Sequence, residues 1–257
     1  MKRLSKTGIE YGDYGWNFYP GCLHKPQGIC PVPNCWAEGM SKRQRQDFHQ
    51  PHLVPELLLA PLHIKKPSII LVNFMGDLFG DWVDPEQNVA LKVPAGHMEI
   101  HPLRDWVETT VKARPEHTFS FLTKNPHGLL PWHPFPDNCW VGFSACTREM
   151  LQAGCRIMSK VRARVKFVSI EPMLEDAWCL PSTLTVAGIN WVIFGAQTNP
   201  YRPPELDWLE AMVEVADIVG AKVWLKDNLW PLLKDKNKYP WACNETGELR
   251  QEFPIRQ

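Results

Sequence analysis

The chain has 257 residues, enough for one large domain with a sizeable core. Hydrophobic residues make up 44% and charged residues 22%, which excludes a disordered polyampholyte and a fibre. Lys+Arg and Asp+Glu both number 28, so no global positive field draws nucleic acid or an anionic membrane to it.

The opening stretch, MKRLSKTGIEYGDYGW, lacks the apolar core of a secretory signal. No apolar run approaches the ~20 residues of a spanning helix. The expectation is therefore a cytoplasmic protein with no membrane contact, its eight cysteines reduced. YGWNFY (14–19) reads as a first, weak strand. A loop rich in proline and glycine follows, GCLHKPQGICPVPNC, with Cys22, Cys30 and Cys35 inside it. NCWAEGMSKRQRQ (34–46) then turns helical, and its SKRQR run reads as a solvated helix face or a local basic patch.

Six further runs are β-rich and near-continuously apolar, as strands covered on both faces are. They are SIILVNF (68–74), TFSFLT (118–123), CWVGFS (139–144), VKFVSI (165–170), NWVIFG (190–195) and KVWLK (222–226). Helical periodicity separates several of them. PLRDWVETTVKA (102–113) puts Leu103, Trp106, Val107 and Val111 on one face. TREMLQAGCRIMSKV (147–161) opens on a threonine cap, and PPELDWLEAMVEVADIVGA (203–221) has Gly220 to end it. Strand–helix alternation of this kind implies parallel βαβ units. The expected fold is a single α/β domain over 1–257, a full or partial parallel (β/α) barrel, with a doubly wound open sheet as the alternative.

The apolar runs end in polar turns: Asp77 after the second, Thr123 and Lys124 after the third, Ser144, Glu171, Gln197 and Lys226 after the rest. In parallel α/β folds the loops at the carboxyl ends of the strands carry the site. Each such residue can equally cap a following helix, and Glu171 can equally pair with a local lysine or arginine. Twelve tryptophans invite a base-stacking reading for Trp36, Trp82, Trp132 and Trp230, whereas Trp106, Trp191 and Trp208 fall on apolar faces.

Cys139, Cys146, Cys155, Cys179 and Cys243 are scattered and read as small buried hydrophobes. The clustered three are different. A structural zinc site wants four ligands, and His24 is the available fourth, but the paired CxxC knuckle is missing. Unligated thiols are a second reading. A third is a cubane iron–sulfur cluster held by three thiolates, with one iron open to another molecule.

The ordered series WNFYPGC, CWAEGMSKR, IKKPSIILVNFMGDLF, HTFSFLTKNP, NCWVGFSA, VKFVSIEPML, INWVIFGAQ and VWLKDN resembles the phage-encoded three-Cys-motif proteins, a radical-S-adenosylmethionine-like family. Two stretches depart from that pattern: CPVPNC separates its cysteines by four residues rather than two, and FGAQTNP lacks the usual glycine- and glutamate-rich turn. The resemblance implies a TIM-type barrel with Cys22, Cys30 and Cys35 holding a 4Fe–4S cluster. Its open iron would chelate S-adenosylmethionine, and reductive cleavage would give a 5′-deoxyadenosyl radical. Asp77 would meet the cofactor's amino group, with Ser144 and Glu171 at the ribose and methionyl end. Thr123, Lys124, Gln197 and Lys226 would face substrate. It further implies an electron donor of reductase or flavodoxin type, a nucleic-acid or nucleotide-related substrate, a phage-encoded partner protein and the cytoplasm of a bacterial host. The other classes kept open are a zinc-stabilised binding module without catalysis and a cofactor-free phage scaffold.

Overall fold

The computed structural model describes residues 3–235 and 237–254. In chain order the strands are β1 (Ser5–Lys6), β2 (Tyr14–Trp16), β3 (Ile69–Val72), β4 (Asn88–Lys92), β5 (Met98–Pro102) and β6 (Thr118–Thr123). There follow β7 (Cys139–Ser144), β8 (Val165–Ile170), β9 (Trp191–Phe194), β10 (Gln197–Thr198), β11 (Tyr201–Arg202) and β12 (Lys222–Leu225). The helices are α1 (Trp36–Arg43), α2 (Leu103–Lys112), α3 (Arg148–Met158), α4 (Pro181–Ala187), α5 (Leu206–Ile218) and α6 (Trp230–Leu233).

The fold is α/β, with a mostly parallel eight-stranded sheet in the order β1-β2-β3-β6-β7-β8-β9-β12. β1 pairs antiparallel with β2, whereas β2–β3, β3–β6, β8–β9 and β9–β12 are parallel. The order ends on β1 and β12, and among the described residues no closed ring of strands forms. The full barrel is therefore not what the structure displays. By contacts the chain gathers into two compact units, Met1–Val141 with Arg162–Arg164, and Gly142–Val161 with Val165–Gln257.

The first unit packs around Trp16, Phe18, Ile70, Leu71, Phe119 and Phe121, all at most 2% exposed. Ile69–Val72 are buried at every position, which is why their pattern is continuous and not alternating. In α2 the four residues assigned to one face are all buried, each burial worth roughly 1.5–3 kcal/mol against exposure. The second unit packs around Phe143, Phe167, Trp191, Phe194 and Leu225. Its strands and α3 leave no spare room: a Cβ on Gly142 would come 2.6 Å from the Phe167 ring, and one on Gly154 2.1 Å from Phe143. Thr147 caps α3 by accepting the Met150 amide at 3.2 Å.

The sequence reading left out the antiparallel β4–β5 hairpin. Its signal was present: Val89 and Leu91 alternate with exposed neighbours, and Gly96 takes a positive φ in the turn. The two-residue pair β10–β11 and helix α4 were also unassigned. Among the described residues no helix is long and apolar enough to cross a membrane.

Candidate functional site

In the first unit the cysteine loop leaves β2 and is drawn back to the end of β3. Gly21 bridges Gly76 in parallel, and its amide donates to the Met75 carbonyl at 3.0 Å. Both glycines are required. Gly21 has φ +99°, and a Cβ on Gly76 would lie 2.6 Å from the Gly21 carbonyl oxygen. Beyond this pinch the Cys22 amide donates to the Phe48 carbonyl at 2.9 Å. The His24 carbonyl accepts the Ile29 amide at 2.8 Å and the Cys30 amide at 3.1 Å. Lys25 Nζ spans the loop to the Pro33 carbonyl at 2.8 Å, and Cys35, in extended conformation, precedes the first residue of α1.

Cys22, Cys30 and Cys35 are reduced and half-buried. Burial foremost, then the charges of Asp77, Cys30 and Cys35, push the Cys22 thiol up to about 12, against a hydrogen bond from the His24 backbone that favours the thiolate. The Cys22 sulfur thus feels the other two. The three do not share a coordination sphere: among the described residues no three His, Cys, Asp or Glu side chains are placed to hold one metal ion. The donor chemistry nevertheless fits an iron–sulfur cluster. Three soft thiols sit on one loop, and their joint ionisation beside a carboxylate requires a cationic centre.

Asp77 ends the β3 turn and is 4% exposed. Its Oδ2 takes three donors: His24 Nε2 at 2.7 Å, Thr123 Oγ1 at 2.9 Å and the Lys124 amide at 2.9 Å. Its Oδ1 takes the Phe79 amide at 3.0 Å. Four donors fill most of what a carboxylate accepts, so Asp77 ties the cysteine loop to the ends of β3 and β6. A cofactor amino group there would have to displace one of them. His24 is 2% exposed, and its Nδ1 has no partner within the protein. Its ring packs edge-on against Trp82, centroids 4.9 Å apart. Asn73, at φ 56°, accepts the Tyr19 amide with its side chain at 2.8 Å and fixes the same turn.

In the second unit Ser144 is buried at the end of β7. Glu171 follows β8 and receives Lys226 Nζ at 2.6 Å, an ion pair with a lysine 55 positions away rather than a local one. Gly195 makes room for it, since a Cβ there would lie 2.9 Å from the Glu171 carboxyl carbon. Gln197 is buried and donates through Nε2 to the Pro200 carbonyl at 3.0 Å. Asn228 clamps the same turn twice, accepting the Ala196 amide at 3.0 Å and donating to its carbonyl at 2.9 Å.

The rim residues therefore gather in two groups, Asp77–Thr123–Lys124 with the cysteine loop, and Glu171–Lys226, while Gln197 bonds within its own turn. Asn73 and Asn228 were missed as binding partners, their polar identity at strand ends being the available signal, and His24, named only as a fourth zinc ligand, was missed as the partner of Asp77. Of the scattered cysteines, Cys139, Cys146, Cys155 and Cys179 are buried as expected, and Cys243 is half-buried. Of the stacking candidates, Trp132 is buried against Phe79, centroids 5.6 Å apart, and is not a platform. Trp36 and Trp230 are exposed, at 54% and 44%.

A family profile described as a protein of unknown function, DUF5131, matches residues 6–231, and the chain belongs to that family. No curated protein and no solved structure matches the chain.

Proposed function

We propose that this DUF5131 member is an iron–sulfur enzyme of the radical-S-adenosylmethionine type, built on a partial parallel (β/α) barrel and acting on a nucleic-acid or nucleotide-related substrate. The observation that carries the reading is the placement of three half-buried thiols, Cys22, Cys30 and Cys35, on one loop that Gly21 and Asp77 tie to the carboxyl ends of β3 and β6. Cys22, Cys30 and Cys35 would hold the cluster. Bound there, a 4Fe–4S cluster with one open iron supplies the electron that splits S-adenosylmethionine reductively.

The chain's own residues prepare that site. The His24 backbone donates toward the Cys22 sulfur, favouring the thiolate a metal needs. Asp77 positions His24, Thr123 and the Lys124 backbone, and so fixes the loop against two strand ends. Closing the loop means drawing the three sulfurs together, and ligation releases their protons. In the second unit Lys226 holds the Glu171 carboxylate, which would present one fixed oxygen to a ribose hydroxyl or an ammonium. Ser144 and Gln197 are the neutral polar groups of that rim. An electron donor of reductase or flavodoxin type and a phage-encoded partner belong to the same proposal, as does a bacterial cytoplasm.

The test is anaerobic reconstitution with iron and sulfide, then dithionite and S-adenosylmethionine. Release of 5′-deoxyadenosine by the wild type, and its loss in Cys30→Ala, is expected. Equal turnover without the three cysteines overturns the proposal.

A second reading rests on His24. A buried histidine with one ring nitrogen on a carboxylate and the other without a protein partner is the arrangement of a zinc-ligating imidazole. A Cys3His zinc site would make the chain a binding module without catalysis. One zinc per chain in protein isolated from zinc-poor, iron-replete cells under anaerobic conditions would favour it.

A further inference from the structure

Helix α1 starts one residue past Cys35 and turns two different faces. Ala37 and Ser41 are buried. Trp36, Met40 and Arg43, at i, i+4 and i+7, lie along one side and are exposed, Trp36 at 54%. Arg43 Nη1 reaches Met40 Sδ at 3.8 Å, so cation and thioether form one strip. Gly39 lies on the same side, where an added Cβ would meet nothing within 4 Å. Ile29, in the cysteine loop, is another exposed apolar residue, at 39%.

The charge around this strip is predominantly positive. Residues 25–46 carry Lys25, Lys42, Arg43 and Arg45 against the lone acid Glu38. Glu38 faces inward to a network, receiving Lys42 at 2.9 Å, Lys25 at 3.4 Å and His49 at 3.7 Å. Those contacts hold its carboxyl below the ordinary range, the Lys42 hydrogen bond foremost, so it stays ionised and neutralises about one cation. Arg43 and Arg45 remain exposed at the helix end. Arg45 also sits at φ 57°, the left-handed position after a helix where glycine is the usual occupant. A long cationic side chain thus occupies a backbone site that opposes it.

Alternating aromatic, thioether and cationic groups on a bare helix face suit a polyanion with stackable bases. An acidic peptide would use the charges but give Trp36 no stacking partner. A duplex would bury its bases away from the ring. We infer that the exposed face of α1, Trp36–Met40–Arg43 with Lys42 and Arg45, is a track for single-stranded nucleic acid that leads to the cysteine loop. The inference rests on the proposed enzyme only for what the strand is brought to; the track stands on its own surface chemistry.

The test is fluorescence anisotropy of the full-length protein, isolated anaerobically, with a labelled single-stranded oligonucleotide of mixed sequence across a salt series. For three phosphate contacts on a single strand the slope of log K against log salt is about −2. Arg43→Gln with Arg45→Gly should flatten that slope to about −0.7, because two contacts are gone. Trp36→Ala should weaken binding about tenfold with the slope unchanged, since stacking involves no counterion release. Arg45→Gly alone should bind more weakly while raising the melting temperature, a pairing that a general loss of structure would not give. No binding by the wild type at low salt overturns the track. So does unchanged affinity in Trp36→Ala, which would leave a bare polyanion patch. Tighter binding to anionic lipid vesicles, to an acidic peptide or to the matching duplex also overturns it. Iron content is read on the same preparations: variants that lose the oligonucleotide but keep iron separate this inference from the cluster. Wild type that binds strand but takes up no iron sinks the cluster and leaves the track.

Discussion

Replacing Asp77 tests how the cysteine loop is held. The carboxylate serves four donors in a setting only 4% exposed, three of them on Oδ2. Asp77→Ala leaves all four without an acceptor. A buried donor stripped of its partner costs about 1–3 kcal/mol, and partial rehydration of the new space keeps the sum near the lower end, about 4–6 kcal/mol. That is a large share of the ~5–15 kcal/mol that holds a domain folded. Asp77→Asn should behave differently. Its amide oxygen can take the Oδ2 position and keep His24, Thr123 and the Lys124 amide, which leaves the NH2 facing only the Phe79 amide. The cost is then one clashing donor and the loss of charge assistance, about 2 kcal/mol. Thr123→Val removes one donor to Asp77 and the acceptor of the Asn125 amide, and should cost about 2 kcal/mol. Urea unfolding followed by tryptophan fluorescence reads all three. Asp77→Ala costing under about 2 kcal/mol, or no less tolerated than Asp77→Asn, would refute Asp77 as the tie.

In metal-free protein the Cys22 thiol lies near 12, so alkylation by iodoacetamide should be very slow at pH 8. It should quicken about tenfold per pH unit up to about 12. By linkage, the protonated thiol's share of stability is complete below pH 9, the ordinary thiol value, and is lost as pH climbs through about 12; Cys22→Ala should abolish that share in a pH series of urea midpoints. Gly128→Ala would drive a Cβ to 1.9 Å from the Phe79 carbonyl oxygen, and should cost more than about 3 kcal/mol or prevent folding, judged by circular dichroism. Gly39→Ala, in open space within α1, should raise stability by about 0.5–1 kcal/mol in the same assay. A double-mutant cycle on Glu171→Gln and Lys226→Met should give a coupling of about 1 kcal/mol, modest because both side chains keep some water contact, 23% and 15% exposed.

The β-rich runs were legible because parallel strands covered on both faces must be apolar throughout: TFSFLT, CWVGFS and VKFVSI coincide residue for residue with β6, β7 and β8. The helices α2, α3 and α5 declared themselves by periodicity and by Thr147 and Gly220 at their ends. The β4–β5 hairpin was lost because it is exposed on one side and short, and its alternation is visible only over Asn88–Lys92. Sheet closure was not legible, since strand–helix alternation is common to barrels and open sheets alike. At the site, residue types marked the strand ends but not the pairings: nothing in the sequence says that Asp77 meets His24, or that Lys226 meets Glu171. Those contacts span 53 and 55 positions and depend on tertiary structure.

The central claim is that three thiols near the start of the chain hold an iron–sulfur cluster. Iron, acid-labile sulfide and zinc analysis of anaerobically purified protein, with its visible spectrum, tests this most directly. The account predicts brown protein with about four iron and four sulfide per chain, falling to near zero when Cys22, Cys30 or Cys35 is replaced by alanine. Colourless protein that holds one zinc, or iron retained by all three alanine variants, would contradict it.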